Sequence, residues 1–145
     1  MTVSAAKDGA GRRFIVSEWG AGVTAVTLVV EDLAAAKEFY ARAFALPVHW
    51  EDEASAVFDF GNAVINLLDA REAPELIAPA AVGAPGSGAR AQYTLTVDDV
   101  DATCAVLASR DVALINGPMD RPWGKRTACF ADPAGHVWEI AGPLA

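Results

Sequence analysis

The chain contains only two cysteines, Cys104 and Cys129, a number and spacing that provide neither a disulfide framework nor a cysteine metal site. Free cysteines tend to lie inside proteins, so both are predicted to be buried thiols. No run of apolar residues approaches the roughly 18 that a membrane span needs. Residues 1–13 also lack the apolar segment of a signal peptide. These absences predict a cytoplasmic protein with no membrane contact.

Basic residues are scarce as well. Eleven Lys and Arg stand against 19 Asp and Glu, which gives a formal net charge of −8. Nucleic-acid binding depends on Lys and Arg that neutralise phosphates, so the composition argues against a nucleic-acid partner. A cationic ligand or simple solubility would both fit the negative charge. The length of 145 residues, 53% of them hydrophobic, is that of one domain with a sizeable core.

The sequence contains an internal repeat. Residues 27–33, Thr-Leu-Val-Val-Glu-Asp-Leu, return as Thr-Leu-Thr-Val-Asp-Asp-Val at residues 94–100. Each copy has an apolar β-branched run, then an Asp where a strand gives way to a helix, then an Ala-rich stretch with helical spacing. Two copies are too few for a solenoid, so the repeat predicts a domain made of two similar modules.

Each predicted module has the order βαβββ. In the first module, residues 23–69, a helix capped by Asp32 follows the first strand, and Gly61-Asn62 forms a tight turn between the last two strands. The predicted strands of this module cover residues 23–30, 48–51, 54–60 and 63–68. The linker, residues 70–90, is rich in Pro and Gly and is predicted to be irregular after a turn at residues 72–77.

The second module covers residues 91–142. Its helix is predicted at residues 100–110, and its strands at residues 91–97, 112–116, 124–131 and 136–141. Asp132-Pro133-Ala134-Gly135 has the composition of a turn between the last two strands. Residues 1–22 lie outside the repeat and are predicted to be a tail with one short strand at residues 14–16. The chain is therefore predicted to be an α+β protein with a single two-module domain at residues 23–142.

Three segments carry a family resemblance. Residues 130–140, Phe-Ala-Asp-Pro-Ala-Gly-His-Val-Trp-Glu-Ile, resemble the closing hairpin of the vicinal oxygen chelate superfamily, which includes glyoxalases, bleomycin-resistance proteins and extradiol dioxygenases. Residues 29–33 with Phe39-Tyr40 resemble its opening strand and helix. Residues 120–126, Asp-Arg-Pro-Trp-Gly-Lys-Arg, are similar to a Trp-Gly segment of the bleomycin-resistance-like branch. The resemblance implies that the two modules form curved mixed sheets around a cup.

In this superfamily a divalent metal typically sits in the cup, held by one residue from the first and the last strand of each module. The matching positions in this chain are Ala25, Asn66, Gln92 and Glu139. Ala25 has no donor atom, Asn66 and Gln92 offer neutral carbonyl oxygens, and Glu139 is the sole charged ligand. Metal sites need several donors at fixed distances, so no metal and no other cofactor is predicted.

The resemblance then implies a metal-free protein that binds a small molecule and sequesters an antibiotic or metabolite, as a homodimer with pockets shaped by both chains. An enzyme remains the alternative: a lyase, isomerase or dioxygenase that uses unrecognised metal ligands or Glu139 as a general base.

Trp138 and Tyr93 are the sequence neighbours of Glu139 and Gln92. Strand alternation points them to the opposite sheet face, so they are predicted to be core. A planar aromatic or cationic ligand is predicted. The candidate ligand-binding residues are Trp50, Phe58, Phe60, Asn66, Gln92, Trp123, Arg126 and Glu139, with the sheet face of the two Phe side chains left open.

Overall fold

The computed structural model describes residues 3–7, 13–17 and 22–145. Strands β1 (Val3–Lys7) and β2 (Arg13–Ser17) pair in an antiparallel manner. The short strand predicted at residues 14–16 lies within β2, and β1 was not predicted. Strand β1 is held by backbone pairing with β2, a contribution that side-chain preference alone does not reveal. The rest of the predicted tail lies outside the described residues.

The first module forms a four-stranded mixed sheet, here called sheet one. Its elements are β3 (Ala25–Val30), α1 (Leu33–Phe44), β4 (Trp50–Glu51), β5 (Ser55–Asp59) and β6 (Val64–Asp69). The strand order is β3-β6-β5-β4, with β3 and β6 parallel and the other pairs antiparallel. A short helix, α2 (Ala73–Ile77), then stands where the sequence predicted a turn.

The second module repeats this plan in sheet two. Its elements are β7 (Gln92–Thr96), α3 (Val100–Ser109), β8 (Leu114–Asp120), β9 (Arg126–Ala131) and β10 (Val137–Gly142), and the strand order is β7-β10-β9-β8. Strand β8 runs four residues beyond its predicted end at Asn116, because register shifts on both sides of Asn116 keep it paired with β9. The predicted α+β class with two βαβββ modules is confirmed.

Matching aspartates start the two long helices. The Asp32 carboxylate accepts a hydrogen bond from the backbone N–H of Ala35 at 3.0 Å, and Asp99 accepts one from Ala102 at 2.9 Å. Each satisfies a backbone donor that the first helical turn leaves without a partner. The predicted capping function of both residues is confirmed, and the repeat seen in the sequence corresponds to a repeat in the structure.

The two modules share one core. Phe44 of α1 in the first module lies 5.1 Å from Trp138 of β10, and Phe39 lies 6.3 Å from Phe130 of β9, measured between ring centroids. The helix-bearing faces of both sheets therefore pack towards each other. Their other faces point away from this core, on opposite sides of the chain. These two outward surfaces are called open face one, on sheet one, and open face two, on sheet two.

None of the helices among the described residues is long and apolar enough to cross a membrane.

Candidate functional site

Open face one is a largely apolar surface with one amide. The side chains of Thr27, Asn66, Val57 and Trp50 lie next to one another across the four strands, as the strand register dictates. The Asn66 Nδ2 donates to Thr27 Oγ1 at 3.3 Å. Trp50 is 54% exposed, and Ala25 lies on the same face. Open face one therefore offers an exposed indole and one amide, without a charged group in this row.

Open face two carries a polar row. Thr94, Glu139, Cys129 and Asn116 are neighbours across β7, β10, β9 and β8. Thr94 Oγ1 donates to Glu139 Oε1 at 3.0 Å, and Gln92 Nε2 donates to Cys129 Sγ at 3.3 Å. Among the described residues, Glu139 Oε2 accepts no hydrogen bond. The carboxylate thus has one fixed oxygen and one that is available to a ligand.

Cys129 is a structural member of this row. Burial raises the pKa of its thiol, and the negative charge of Glu139 raises it further. The thiol therefore stays protonated near neutral pH and accepts the hydrogen bond from Gln92, which is not the condition of a reactive cysteine. Cys104 is also buried, so the predicted burial of both thiols is confirmed.

The loop between β8 and β9 places two large side chains at the edge of open face two. The backbone N–H of Arg121 donates to Lys125 O at 2.7 Å, which closes the loop. Arg121 Nε donates to Thr127 Oγ1 at 2.8 Å, and its guanidinium carbon lies 5.7 Å from the ring centroid of Trp123. Trp123 is 66% exposed. Arg121 was not predicted as a site residue, although it stands only two positions before Trp123.

Phe58 and Phe60 are not pocket residues, contrary to the prediction. Phe58 is fully buried and lies 5.9 Å from Tyr40, and Phe60 stacks on Trp138 at 5.4 Å. Strand alternation puts both on the helix-bearing face of sheet one, where Phe58 belongs to the shared core and Phe60, half-buried, packs against it. The predicted core position of Trp138 is confirmed, and Tyr93, whose ring centroid lies 5.2 Å from that of Trp138, is partly buried and packs against the core.

Arg126 is also misplaced by the prediction. It alternates with Thr127 and so lies on the helix-bearing side of β9. Its Nε and Nη2 donate to the Asp101 carboxylate at 3.0 Å, and its Nη1 donates to Asp120 at 3.2 Å. This pairing ties the start of β9 to the first turn of α3. Arg126 is therefore a structural ion-pair residue and does not face the candidate site.

The remaining predicted residues fall on two separate surfaces. Trp50 and Asn66 lie on open face one, whereas Gln92 and Glu139 lie on open face two and Trp123 lies in the loop at its edge. Because the shared core separates the two faces, a single chain does not bring the five side chains together. One chain therefore supplies two separate surfaces rather than the single predicted cup.

The four superfamily metal positions do not fit a divalent ion in this chain. Ala25 lacks a donor atom, and Asn66 and Gln92 offer only neutral amide oxygens, since their hydrogen bonds to Thr27 and Cys129 use the amide nitrogens. Of the three positions other than Ala25, only Gln92 and Glu139 share a sheet face, whereas a catalytic ion needs about three protein ligands. Over residues 22–145, no three His, Cys, Asp or Glu side chains are grouped as a metal site requires.

A separate cavity of about 460 Å³ lies between the linker and β3. Small linker residues form much of its wall, and His136 lies beside it with a ring nitrogen 2.9 Å from the carbonyl oxygen of Val29. None of Gln92, Trp123 and Glu139 reaches this cavity. Open face two has the convergent polar groups and the exposed aromatic ring that a ligand site needs, and it is therefore the stronger candidate.

Solved structures of other proteins share this fold. A solved glyoxalase/bleomycin resistance protein/dioxygenase from Nocardioides has a TM-score of 0.76 and 26% identity, covering 84% of this chain and 83% of that one. TnmS3, an antibiotic binding protein from Streptomyces, has a TM-score of 0.63 and 29% identity, covering 84% and 95%. A lactoylglutathione lyase from Agrobacterium tumefaciens has a TM-score of 0.68 and 24% identity, covering 83% and 92%, and shows the fold alone.

The family comparison covers nearly the whole two-module region. Residues 22–140 match the Glyoxalase/Bleomycin resistance protein/Dioxygenase superfamily. This range covers the first module and the second up to Ile140 in β10, the last strand. The chain belongs to the glyoxalase/bleomycin resistance protein/dioxygenase superfamily.

Proposed function

We propose that this protein binds and sequesters a small organic molecule without the help of a metal ion. The observation that carries the proposal is the polar row on open face two beside the exposed indole of Trp123. At the positions where relatives hold metal, this chain has hydrogen-bonded amides, one carboxylate and an alanine. These groups suit recognition of an organic ligand better than coordination of an ion.

The proposed ligand is planar and aromatic, with a hydrogen-bond donor or a positive charge for Glu139. Trp123 provides a flat apolar surface, and Glu139 Oε2 provides an acceptor on the same sheet face. Aromatic side chains bind flat rings through stacking and attract cations through the electrons of the ring. The similarity to an antibiotic-binding protein at 29% identity supports an antibiotic or a related metabolite as the ligand class.

The proposed functional unit is a homodimer. A two-fold axis would set open face one of one protomer opposite open face two of the other, and would create two equivalent pockets. Each pocket would then combine Trp50 and Asn66 from one chain with Gln92, Trp123 and Glu139 from its partner. Each open face also carries an exposed tryptophan, which would line the pocket between the two chains.

This arrangement predicts a stable dimer in solution. The interface should bury at least about 1,000 Å² in total, the lower range for specific association. Light scattering at micromolar protein concentration should therefore report twice the 15.1 kDa mass of the chain. A monomer at that concentration would contradict the two-chain pocket, although open face two could still bind a ligand alone.

A thermal-shift screen of flat aromatic antibiotics and metabolites tests the binding function. A compound present at 100 times its dissociation constant should stabilise the protein by roughly 2.7 kcal/mol. Hits should also change tryptophan fluorescence, because Trp123 lies at the site. If no flat aromatic compound raises the melting temperature, sequestration of this ligand class is wrong.

Replacing Trp123 with alanine is expected to weaken the binding of each hit by about 1–3 kcal/mol, the range for a ring stacked on an aromatic side chain. The melting temperature should hardly change, because the side chain is 66% exposed. Leu76→Ala is the matched control, since Leu76 is 68% exposed but lies on α2. Unchanged affinity in a folded Trp123→Ala variant would remove Trp123 from the site.

A second candidate function is catalysis by Glu139 as a general base. The observation that favours it is the geometry of the carboxylate, which Thr94 holds through one oxygen while the other is available. Mass spectrometry after prolonged incubation of each hit with the protein separates the two functions. Sequestration predicts that the compound is recovered unchanged, whereas a product that Glu139→Gln abolishes would establish an enzyme.

A further inference from the structure

We infer that the small molecule proposed above also carries an anionic group, and that Arg121 binds this group at the edge of open face two. The inference rests on the proposed function and specifies its ligand. Arg121 makes one well-formed side-chain hydrogen bond, from Nε to Thr127 Oγ1 at 2.8 Å. Its Nη2 lies 3.5 Å from Asn116 Oδ1, at the outer limit of a hydrogen bond.

Arg121 has no acidic partner: among the described residues it forms no ion pair with a carboxylate, although the chain has an excess of acidic residues. Arg110 also lacks an ion pair, but its guanidinium donates to the backbone carbonyl oxygen of Ala43 at 3.0 Å. Three other arginines form such pairs, which are Arg42 with Glu38, Arg71 with Asp69, and Arg126 with Asp101 and Asp120. A guanidinium without a carboxylate partner at a candidate ligand site is available to a ligand anion.

The guanidinium is also held in place. Thr127 is 1% exposed and fixes the Nε end, and the Trp123 ring lies against the guanidinium. Its two terminal nitrogens remain largely uncommitted. A planar guanidinium held in this way matches two oxygens of a carboxylate, sulfonate or phosphate, and loses little freedom on binding.

The position of Arg121 defines how such a ligand would lie. Thr127 stands two residues before Cys129 on β9, and Glu139 lies opposite Cys129 on β10. A ligand anion on Arg121 would therefore lie beside the exposed part of Trp123, with a donor group of the ligand directed towards Glu139. The site is predicted to select molecules with an aromatic ring and one anionic group over neutral molecules of the same shape.

Three probes of nearly equal shape test this selection: naphthalene-2-carboxylate, naphthalene-2-carboxamide and 2-naphthylmethylammonium. Dissociation constants come from NMR titration of the Trp123 indole and the Gln92 and Thr94 amides. The carboxylate should bind at least about tenfold more tightly than the carboxamide, which corresponds to about 1.4 kcal/mol. Arg121→Gln should abolish this preference. Arg90→Gln makes the same change of net charge in the linker and should retain it.

The possible failures are distinguishable. Equal affinity for carboxylate and carboxamide in the unmodified protein, or an unchanged preference in Arg121→Gln, overturns the anion site and leaves the binding function standing. If none of the three probes moves the signals of open face two, the proposed function fails and the anion site fails with it.

A second pair of variants covers the case in which Arg121→Gln does not fold. Thr127→Val keeps the guanidinium but removes its fixed acceptor, and should reduce the preference for the carboxylate. Arg121→Lys keeps the charge and should retain part of the preference. If both variants melt at a lower temperature but select the carboxylate as the unmodified protein does, Arg121 only stabilises the loop and the inference is wrong.

Discussion

Replacement of Trp138 by alanine is expected to lower the free energy of unfolding by about 3–5 kcal/mol, the usual cost of removing a large buried aromatic side chain. Trp138 is 2% exposed and lies where the two modules meet. Its indole Nε1–H donates to the Tyr40 hydroxyl at 3.0 Å. Its ring also contacts four aromatic rings from both modules, which are those of Tyr40, Phe44, Phe60 and Tyr93.

Urea denaturation of Trp138→Ala and Trp123→Ala in parallel measures this effect. The same substitution at Trp123, which is 66% exposed, should cost far less. Similar losses in the two variants would contradict the packing of the modules around one core, and with it the assignment of opposite open faces.

Asp132→Ala is expected to produce a loss of similar size, about 3–5 kcal/mol, because hydrogen bonds to a charged group contribute roughly 1.5–3 kcal/mol each and a buried donor is left without its acceptor. The Asp132 carboxylate accepts from the Tyr40 hydroxyl at 2.8 Å and from the backbone N–H groups of Ala134 and His136. Burial, together with the negative charge of Asp132, raises the pKa of Tyr40 well above its usual range, so the hydroxyl keeps the proton that it donates.

Asp52→Ala is the matched control for Asp132→Ala. The Asp52 side chain also accepts from two backbone N–H groups of a turn, those of Ala54 and Ser55, but Asp52 is exposed, and its hydrogen bonds to the described residues all lie within its own turn. Chemical denaturation should give a much smaller loss for Asp52→Ala. An equal loss of unfolding free energy in the two variants would mean that Asp132 stabilises only its own turn. The hydrogen bond with Tyr40 would then contribute little to holding the two modules together.

Local patterns in the sequence predicted most of the fold. The repeat located both helix caps, Asp32 and Asp99, because a capping aspartate acts within three residues of its own position. Strand alternation also predicted that Trp138 faces the core, since it neighbours Glu139 on the same strand.

The packing of the modules was beyond such patterns. Alternation shows that Phe58 and Phe60 share a face, but the core contact of Phe60 with Trp138 joins positions far apart in the chain. Arg126 lies four residues before Phe130 on β9, so alternation puts the two on the same sheet face. Arg126 could therefore have been placed on the core side from the sequence. Arg121 could not, because β8 has two register shifts before the loop that carries it.

The positions that this superfamily typically uses for metal ligands show how one fold can change its chemistry. Sheet geometry keeps Gln92 and Glu139 on the same face of neighbouring strands, whatever their side chains bind. In this chain the Gln92 side chain donates a hydrogen bond to Cys129, and the Glu139 side chain accepts one from Thr94. The scaffold of a metal site is thus retained with groups that can recognise an organic ligand, which accords with the proposed function.

Isothermal titration calorimetry with the best aromatic hit, before and after the protein is dialysed against EDTA, tests metal-free binding most directly. Recognition by Trp123, Glu139 and Arg121 alone predicts the same dissociation constant and stoichiometry in both titrations. Loss of binding after EDTA treatment, with recovery on addition of Zn²⁺, Ni²⁺, Fe²⁺ or Mn²⁺, would contradict metal-free binding and favour a metal-dependent member of the superfamily.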